Sequence, residues 1–395
     1  MSRPRKGRRV RRIALVTGTR AEFGILTFVT EAIRQRPGLE LQSVVTGMHL
    51  LKRFGRTIEQ IRLAGWPIAA NVRMQSGRDD PSEAPLAVGR GITQMARAFD
   101  RLDSDVVLVT GDRIEAFAAA AAAAVGQRVV VHLHGGDRAL GITDDMLRNA
   151  ITRLAHVHLA ASRDAVQRLK RMGEAPWRIH RVGAPGLDAI RLLRRRVRAE
   201  PRQAGQRLNT LLGELAAKPY ALIVQHPLSR PTRIERRTTE RIFKAVRESG
   251  LSGVVICPNS DPGHEGIFQA IERIEGRPGW RVFRSLPRED YLRVALAAAV
   301  LVGNSSSGII ESASLGINAV NVGSRQSGRL RCGPGVQDCG ESAPAIRPAI
   351  RRALHRRKPA HARSVYGDGR ASERIADVLE RLIISPELLA KELTY

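Results

Sequence analysis

The sequence predicts an α/β protein made of two doubly wound, Rossmann-type parallel-sheet domains that face a central cleft. Short apolar runs alternate with segments of helical periodicity along most of the chain, which is the pattern of successive strand–helix units in a parallel sheet. Polar residues stand directly after nearly every apolar run. Open α/β sheets bind ligands in the crevice outside the carboxyl ends of their strands, so the same pattern predicts both the fold and a binding cleft.

Length and composition limit the class of protein. At 395 residues the chain is long enough for two or three domains. No apolar run approaches the ~20 residues that cross a bilayer, and the apolar run at residues 13–16 is too short for a signal peptide. The three scattered cysteines form neither a disulfide framework nor a metal-binding spacing. We therefore expect a reduced, cytoplasmic protein without a membrane partner or a bound metal.

The net charge of +27 indicates an anionic ligand. Seven lysines and arginines crowd residues 1–12, which we predict to form a disordered basic arm, and the rest of the excess is spread through the chain. Such a field attracts any anion, from nucleic acid to sugar nucleotides. The chain shows no zinc finger, recognition-helix pattern or aromatic-interleaved basic strand, so specific nucleic-acid binding is not expected.

The first two predicted strands place basic residues at the cleft. Residues 13–17 form the first strand, and the segment GTRAEFG leads from it into a helix that begins near Ile25. The glycines of this segment do not make GxGxxG, so it is not a dinucleotide fingerprint. Arg20 stands at the carboxyl end of this strand. Residues 41–45 form the next strand, which places His49 at the same edge.

The next two strands of this half, predicted at residues 105–110 and 129–133, are followed by clustered acids and bases. These are Asp112, Arg113, His134 and Asp137. The pair Asp144–Asp145 comes next and precedes a helix that carries Arg148, and residues 155–160 form a further strand. Clustered carboxylates can divide acid and base roles because their mutual repulsion separates their pKa values.

Several of these residues also have interpretations without catalysis. Asp144 and Asp145 stand where acidic residues cap helices. His49, His132 and His134 can serve as hydrogen-bonding groups inside the cleft wall. The sequence leaves both alternatives open.

A second α/β set follows an arginine-dense stretch at residues 191–207, which we predict to be an interdomain linker. Its strands are predicted at residues 220–224, 253–257, 281–283 and 318–322, with one more ahead of residue 302. The polar residues at their carboxyl ends are His226, Asn259, Asp261, Arg325 and Arg329. We therefore predict an N-terminal domain at residues 13–190, a C-terminal domain at 208–370, and a helix and tail at 371–395. Two such halves that face one cleft make a GT-B-like architecture.

The stretch VGNSSSGIIESASLG at residues 302–316 joins a buried strand to a segment of helical periodicity. The residues at the junction are Ser305, Ser306, Ser307 and Gly308. Unpaired backbone N–H groups and serine hydroxyls at such a junction favour a phosphate or diphosphate, and Glu311 can reach the vicinal hydroxyls of an attached ribose. The alternative is a serine N-cap followed by a tight turn. Because the loop lacks a G-x-S-x-G elbow, we do not expect the serines to be nucleophiles.

Between residues 13 and 329 the chain carries, in this order, the motifs TGTRAEFG, VTGMHL, GDR, HGGD, VGAPGLD, QHP, PNSD, GNSSSGIIE and VNVGSRQSGR. This series resembles that of the hydrolysing UDP-N-acetylglucosamine 2-epimerases, in particular the bacterial branch that serves sialic and legionaminic acid synthesis. The resemblance implies a GT-B protein that needs no cofactor or metal and acts as a homodimer or higher homo-oligomer. It also implies elimination of UDP from an N-acetylhexosamine donor, followed by addition of water that releases the free 2-epimeric sugar.

The resemblance further implies roles for individual residues. Arg20 and Arg325 are expected at the diphosphate, and Glu311 at the ribose. The residues assigned to UDP binding are Arg20, His226, Asn259, Leu286, Tyr291, Ser305, Ser306, Ser307, Gly308, Glu311 and Arg325. The catalytic candidates are Asp112, Arg113, His134, Asp137, Asp144, Asp145 and Arg148, and His49 is the candidate for contact with the sugar.

Three positions depart from the family pattern on the acyl-sugar side of the cleft. His134 and Asp137 stand where many members carry glutamate, and Asn149 stands where a histidine is common. The sugar is therefore left open between UDP-N-acetylglucosamine and a UDP-diacetamido-trideoxyhexose. A GT-B glycosyltransferase with a UDP-sugar donor is the alternative function. A non-catalytic nucleotide-binding protein is a third, although binding alone does not require the acidic cluster.

Overall fold

The computed structural model describes residues 10–78, 80, 82–138, 143–356 and 364–394. Residues 1–9 of the predicted basic arm lie outside this range. Arg11 and Arg12, which the prediction assigns to the arm, belong to the first strand instead. The Arg12 backbone N–H donates to the Asp105 carboxylate at 2.8 Å, so ordered structure begins ahead of Ile13.

The N-terminal half forms a sheet in which the described residues contribute seven parallel strands. They are β1 (Arg11–Thr17), β2 (Leu39–Thr46), β3 (Ile68–Val72), β4 (Val106–Thr110), β5 (Val129–Leu133), β6 (Val157–Ala160) and β7 (Ile179–Arg181). Their order across the sheet is β3-β2-β1-β4-β5-β6-β7. The order reverses between β1 and β4, so the carboxyl ends of these two strands flank a crevice suited to ligands.

The C-terminal half forms a second sheet with six parallel strands among the described residues. They are β8 (Tyr220–Val224), β9 (Ser252–Ile256), β10 (Trp280–Phe283), β11 (Val300–Gly303), β12 (Ala319–Val322) and β13 (Val336–Cys339). Their order is β10-β9-β8-β11-β12-β13. The reversal between β8 and β11 repeats the topology of the first sheet, and the predicted pair of doubly wound parallel sheets is confirmed.

Helices connect the strands in both halves. Those that follow the strands of the first sheet are α1 (Arg20–Arg34), α2 (Ile58–Leu63), α3 (Glu83–Arg101), α4 (Ile114–Val125), α5 (Asp144–Leu154), α6 (Arg163–Arg171), α7 (Gly186–Ala199) and α8 (Pro201–Leu212). Those that follow in the second half are α9 (Thr232–Glu248), α10 (His264–Glu272), α11 (Arg288–Ala297), α12 (Ser307–Ile310), α13 (Ser312–Leu315), α14 (Ala343–His355), α15 (Ala371–Arg381) and α16 (Pro386–Leu389).

Burial on both faces explains why the strands read as continuous apolar runs. In β4, Val106 and Leu108 pack into one apolar cluster, whereas Val107 and Val109 pack into another on the opposite face. A strand covered on both faces gains nothing from alternating polar residues. The alanine-rich helix α4 packs closely against α3 and buries most of its alanines, as its small side chains predict.

The element boundaries differ from the prediction in three places. Helix α1 begins at Arg20 rather than near Ile25, because Thr19 and Glu22 form a capping box that starts the helix at once. Strands β3, β7 and β13 were not predicted, since they are short and only partly apolar. The predicted linker at residues 191–207 lies within helices α7 and α8.

The C-terminal segment returns to the first half of the molecule. Helix α15 packs on α1, and its Ile375 and Leu379 join the apolar cluster under the first sheet. The Asp188 carboxylate accepts hydrogen bonds from the backbone N–H groups of Ala371 (3.1 Å) and Ser372 (2.8 Å). Asp188 therefore caps α15 from outside the helix and ties α15 to the first turn of α7. Among the helices described, none is both long and apolar enough to span a membrane.

The Asp188 cap gives a stability prediction. We expect Asp188→Ala to lower stability by about 1–2 kcal/mol, since two helix N–H groups lose their acceptor in a buried place. Thermal unfolding should show a decrease of a few degrees in Tm. Asp164→Ala is the matched control, because Asp164 is 42% exposed and pairs only with Arg168 on its own helix. Equal Tm values for the two variants would contradict the capping role.

Candidate active site

A cavity of about 250 Å³ lies between the two halves, and both contribute its wall. From the first half, the titratable lining residues are Arg20, Glu22, Asp112, Arg113, His134, Asp144 and Arg148. From the second half, the lining includes His226, Asn259, Leu286, Arg288, Tyr291, Ser305, Ser306, Ser307, Glu311, Arg325 and Arg329. These residues follow the carboxyl ends of strands in both sheets, which is the edge where the sequence pattern predicts the cleft.

Four predicted site residues do not line the cavity: His49, Asp137, Asp145 and Gly308. The His49 ring is fully buried and hydrogen-bonded on both nitrogens, to Thr17 (3.1 Å) and Thr57 (2.6 Å). Burial lowers its pKa to about 3. The ring therefore belongs to the cleft wall, as its alternative interpretation states, and we do not retain it as a sugar contact.

His132 is also a hydrogen-bonding residue inside the cleft wall. Its ring is buried, with Nε2 2.7 Å from the backbone oxygen of Gly111 and Nδ1 3.4 Å from the hydroxyl of Thr152. Burial lowers its pKa to about 3. These contacts fix the turn that leads from β4 to Asp112.

Arg148 organises the acidic side of the cavity. Its guanidinium is buried, donates to the backbone oxygen of His134 at 3.0 Å through Nη1, and pairs with the Asp112 carboxylate through Nη2. Helix α5 is thereby joined to the ends of both β4 and β5. The nearby carboxylates outweigh the burial and raise the pKa of Arg148, so the group stays charged.

Asp144 is a carboxylic acid of the cavity wall with a raised pKa. It stands in the first turn of α5 and lines the cavity. Burial, followed by the negative charge of Asp112, raises its pKa to about 6, although Arg325 lies 3.6 Å away and opposes the shift. Asp145, one residue further, faces Asn149 at 3.4 Å and lies outside the cavity lining. The two adjacent acids are therefore not equivalent.

His134 and Asp137 form a hydrogen-bonded pair at the end of β5. His134 Nδ1 lies 2.9 Å from Asp137 Oδ2, and Arg329 Nη1 lies 3.5 Å from the same oxygen. Burial raises the pKa of Asp137, but the hydrogen bond with His134 and the charges of Arg329 and Arg148 outweigh it, so the pKa is below its ordinary value. Gly136 makes the turn possible, since it has a φ of 74° and a Cβ there would meet the Ala165 oxygen at 2.5 Å.

Arg113 connects the two halves instead of standing free beside Asp112. Its guanidinium lies 2.7 Å from Asp261 across the cleft and 3.1 Å from Glu115 in its own helix. These carboxylates outweigh the burial and raise its pKa. Arg113 therefore links the two walls of the cleft. Its catalytic role stays a prediction.

Arg20 offers a charged donor to the cavity. Its Nη2 donates to the backbone oxygens of Cys257 and Pro258, both at 3.0 Å. Its Nη1 is buried and has no hydrogen-bond partner among the described residues. Burial lowers the pKa to about 10, so the side chain is charged at neutral pH. A buried charged donor without a partner is suited to an anionic ligand.

The serine loop carries a connected set of polar side chains. Glu311 pairs with both terminal nitrogens of Arg288 (2.6 and 3.2 Å) and accepts from the Ser307 hydroxyl at 2.6 Å. The Tyr291 hydroxyl donates to the Ser307 hydroxyl at 2.8 Å. The single helix predicted after the loop is two short helices, α12 and α13, that break at Glu311. The break leaves Glu311 at the cavity wall.

His226 is held beside this loop. Asn304 accepts from the His226 backbone N–H and donates to its backbone oxygen, both at 2.8 Å. The ring nitrogen Nδ1 accepts from the backbone N–H of Asn259 at 3.3 Å. Burial, followed by the charge of Arg325, lowers the pKa to about 3, so the ring is neutral and can only donate toward the cavity.

Sequence reasoning missed Glu22, Glu115 and Arg288, and gave Arg329 no role. Glu22 lines the cavity and accepts from the backbone N–H groups of Gly18 (2.7 Å) and Thr19 (3.1 Å). Burial and the charge of Glu115 raise its pKa well above the ordinary value. Glu22 and Arg329 lie inside the motifs TGTRAEFG and VNVGSRQSGR, which do not by themselves assign them a role. Glu115 and Arg288 lie outside the motifs, and Arg288 meets Glu311 only through the tertiary fold. Among the described residues there is no group of three or more potential metal ligands.

Comparisons with known proteins match most of the chain. The model of the UDP-N-acetylglucosamine 2-epimerase family matches residues 31–380. A UDP-N,N'-diacetylbacillosamine 2-epimerase (hydrolyzing) from Legionella pneumophila is 35% identical over 97% of this chain and 99% of that protein. A UDP-N-acetylglucosamine 2-epimerase from Neisseria meningitidis is 33% identical over 81% of both chains. The crystal structure of the Methanocaldococcus jannaschii UDP-GlcNAc 2-epimerase in complex with UDP-GlcNAc and UDP superposes with a TM-score of 0.76 at 15% identity, over 93% of this chain and 99% of that one.

The pKa of Asp144 gives a prediction on stability. Because this pKa is raised from 3.8 to about 6, the stability that the protonated acid provides is fully present below about pH 4 and is lost as the pH rises through about 6. Asp144→Asn cannot ionise, so its free energy of unfolding should gain on that of the wild type between pH 4.5 and pH 7, by on the order of 1–2 kcal/mol.

Asp145→Asn is the matched control for this experiment, since it introduces the same amide in the same helical turn outside the cavity lining. Thermal unfolding of all three proteins at both pH values measures the effect. A Tm difference between Asp144→Asn and wild type that is independent of pH would show that Asp144 is not the acid with the raised pKa.

Proposed function

We propose residue roles and a sugar class for this chain, which belongs to the UDP-N-acetylglucosamine 2-epimerase family. It is a hydrolysing 2-epimerase that converts a UDP-N-acetylhexosamine into UDP and the free 2-epimeric sugar. The observation that carries the residue roles is one cavity with an acidic cluster on the first sheet and a phosphate-type loop on the second. Binding alone does not need the acids, and the compared relatives are named epimerases, which disfavours the glycosyltransferase alternative.

The UDP moiety is assigned to the wall contributed mostly by the second half. Arg20, with its unpartnered Nη1, and Arg325 neutralise the diphosphate, together with the N–H and hydroxyl groups of residues 305–307. Glu311 accepts from the ribose hydroxyls. Leu286 and Tyr291 cover the uracil. This assignment makes residues 208–370 the UDP-binding domain and residues 13–190 the domain that performs proton transfer.

The chemistry follows from what the two walls offer. C2 has no carbonyl group next to it, so the proton on C2 is only weakly acidic. Cleavage of the anomeric C1–O bond therefore comes first. The electron pair of that bond goes to the departing UDP, whose growing negative charge Arg20, Arg325 and His226 stabilise. Loss of the C2 proton then gives a 2-acetamidoglycal. Return of a proton to C2 and addition of water at C1 give the free sugar, with Asp112 and Asp144 as the acidic groups in reach.

The relative that covers nearly the whole chain supports a particular sugar. Its name assigns it to UDP-N,N'-diacetylbacillosamine, and we propose a UDP-2,4-diacetamido-trideoxyhexose as the substrate in preference to UDP-N-acetylglucosamine. The free diacetamido product has the chemistry of a precursor of legionaminic acid.

Cytoplasmic location is supported by the three free cysteines, two of them buried. The homodimer or higher homo-oligomer stays a prediction.

Proton NMR of the products tests the function. With the UDP-diacetamido sugar in D₂O, we expect UDP and a free sugar that is inverted at C2 and fully deuterated there, because the C2 proton is lost and replaced from solvent. Turnover of UDP-N-acetylglucosamine should be slower by a factor of ten or more, since an unfilled acetamido site leaves polar groups unpaired. Release of a free sugar without deuterium at C2 would show simple hydrolysis, and faster turnover of UDP-N-acetylglucosamine would reject the proposed sugar.

Binding measurements test the ribose assignment. Glu311→Ala should weaken UDP affinity about tenfold or more, because hydrogen bonds to a charged group contribute roughly 1.5–3 kcal/mol. The affinity for 2',3'-dideoxy-UDP should change much less, since that ligand has no hydroxyl for Glu311 to bind. Calorimetry with both ligands separates the ribose contact from a general disturbance around Arg288, which would weaken both equally and contradict the assignment.

A further inference from the structure

Inversion at C2 requires more than one proton-transfer group. A proton leaves C2 from one face of the sugar ring and another proton returns from the opposite face. A base that starts unprotonated and an acid that starts protonated satisfy this need when they are separate residues. The cavity wall offers two such sets, the Asp112–Asp144 carboxylates and the His134–Asp137 pair.

The geometry of the second set is that of an oriented base. His134 lines the cavity, whereas Asp137 lies behind it and outside the lining. Asp137 is held ionised by its contacts with His134, Arg329 and Arg148, and an ionised carboxylate can only accept a hydrogen bond. The hydrogen between the two residues must therefore reside on His134 Nδ1. The lone pair is then on Nε2, which has no hydrogen-bond partner among the described residues.

The backbone of His134 supports a functional position. His134 has a φ of 65°, in the left-handed region that side chains other than glycine adopt at some energetic cost, and such strained residues concentrate at functional sites. Arg148 holds this conformation, since it donates to the His134 backbone oxygen while it pairs with Asp112. One arginine thus positions both proton-transfer sets relative to each other.

The other titratable groups of the cavity are less suited to the role of base. His226 Nδ1 already accepts from the Asn259 backbone, and its pKa of about 3 makes it a poor proton acceptor. Glu22 uses Oε2 to cap helix α1. Asp144, with a pKa near 6, is partly protonated near neutral pH and is suited to donate.

We infer that His134 Nε2 is the base that removes the C2 proton, and that Asp137 is the positioning residue that fixes its tautomer. This inference rests on the proposed function. After the C1–O electron pair has left with UDP, the C2–H electron pair forms the C1=C2 bond of the glycal, and the proton stays on His134. Protonated Asp144 then gives its proton to C2, water adds to C1, and the proton of that water returns to Asp144. His134 releases its proton to solvent, which balances the extra negative charge on free UDP.

The test separates the two halves of the reaction. His134→Ala should lose elimination from the UDP-sugar by a factor of about 10²–10⁴, with UDP affinity unchanged within about twofold. Supplied with the synthetic 2-acetamidoglycal and UDP, the same variant should still form free sugar at close to the wild-type rate. Added imidazole should restore elimination, with a rate that depends on the pKa of the imidazole used. His355→Ala, an exposed histidine on α14, is the control, and His134→Gln replaces the alanine variant if that one does not fold.

The positioning role of Asp137 has its own readout. Asp137→Asn can donate to Nδ1 and favours the wrong tautomer, so kcat should fall by a factor of 10² or more while KM is unchanged. Nitrogen-15 NMR of the wild type should show the hydrogen on Nδ1 of His134. A hydrogen on Nε2 would overturn the inference whatever the substrate proves to be. Elimination by His134→Ala within threefold of wild type, or a loss confined to hydration of the glycal, would overturn it while leaving the proposed function intact.

Discussion

The buried guanidinium of Arg148 is the constraint on which the rest of the site depends. A charge removed from water is unstable unless it is paired and hydrogen-bonded, and Arg148 finds its partners only at the ends of two neighbouring strands, in the His134 oxygen and the Asp112 carboxylate. Helix α5 can therefore occupy one position relative to the sheet. That position brings Asp144 into the cavity and leaves Asp145 outside it. The burial of a single arginine thus determines which of two adjacent acids meets the ligand.

Cross-cleft charge pairs extend this constraint to the second half. Arg113 lies 2.7 Å from Asp261, Arg325 lies 3.6 Å from Asp144, and Arg329 lies 3.5 Å from Asp137. In each pair the two partners come from different halves of the molecule. The large positive charge of the chain is therefore not only a means of attracting anions, since part of it neutralises the acidic wall of the cavity. A cavity with several carboxylates remains stable because the opposite wall supplies their counter-charges.

Periodicity predicts the architecture and the cavity residues that directly follow strands, whereas Leu286 and Tyr291 were implied only by the family resemblance. Strands buried on both faces read as apolar runs, and in a doubly wound sheet the residues after them meet at one edge. What the sequence could not predict are partners that are distant along the chain. Arg288 meets Glu311 only through folding of the serine loop, and Glu115 is an isolated acid in an alanine-rich helix. His49 shows the opposite error, since it stands at the expected edge but its ring turns inward to Thr17 and Thr57. Position along a strand is encoded locally, whereas the direction of a side chain at its end depends on packing.

The ion pairs between the two walls of the cavity also connect ligand binding to the proposed proton transfer. Arg325 is the cation nearest Asp144 that opposes the rise in its pKa. When a diphosphate enters, its charge attracts Arg325 and adds negative potential beside Asp144. Both effects favour the protonated acid, so binding of the proposed diphosphate favours the protonation state that the proposed proton donor needs. Arg329 contacts Asp137, and Asp137 is also held ionised by His134 and Arg148, so the base side keeps its orientation during the same exchange. We therefore expect Asp144 to be protonated and Asp137 to be ionised in the bound state, because Asp137 keeps its interactions with His134 and Arg148 while Asp144 loses Arg325 to the proposed diphosphate.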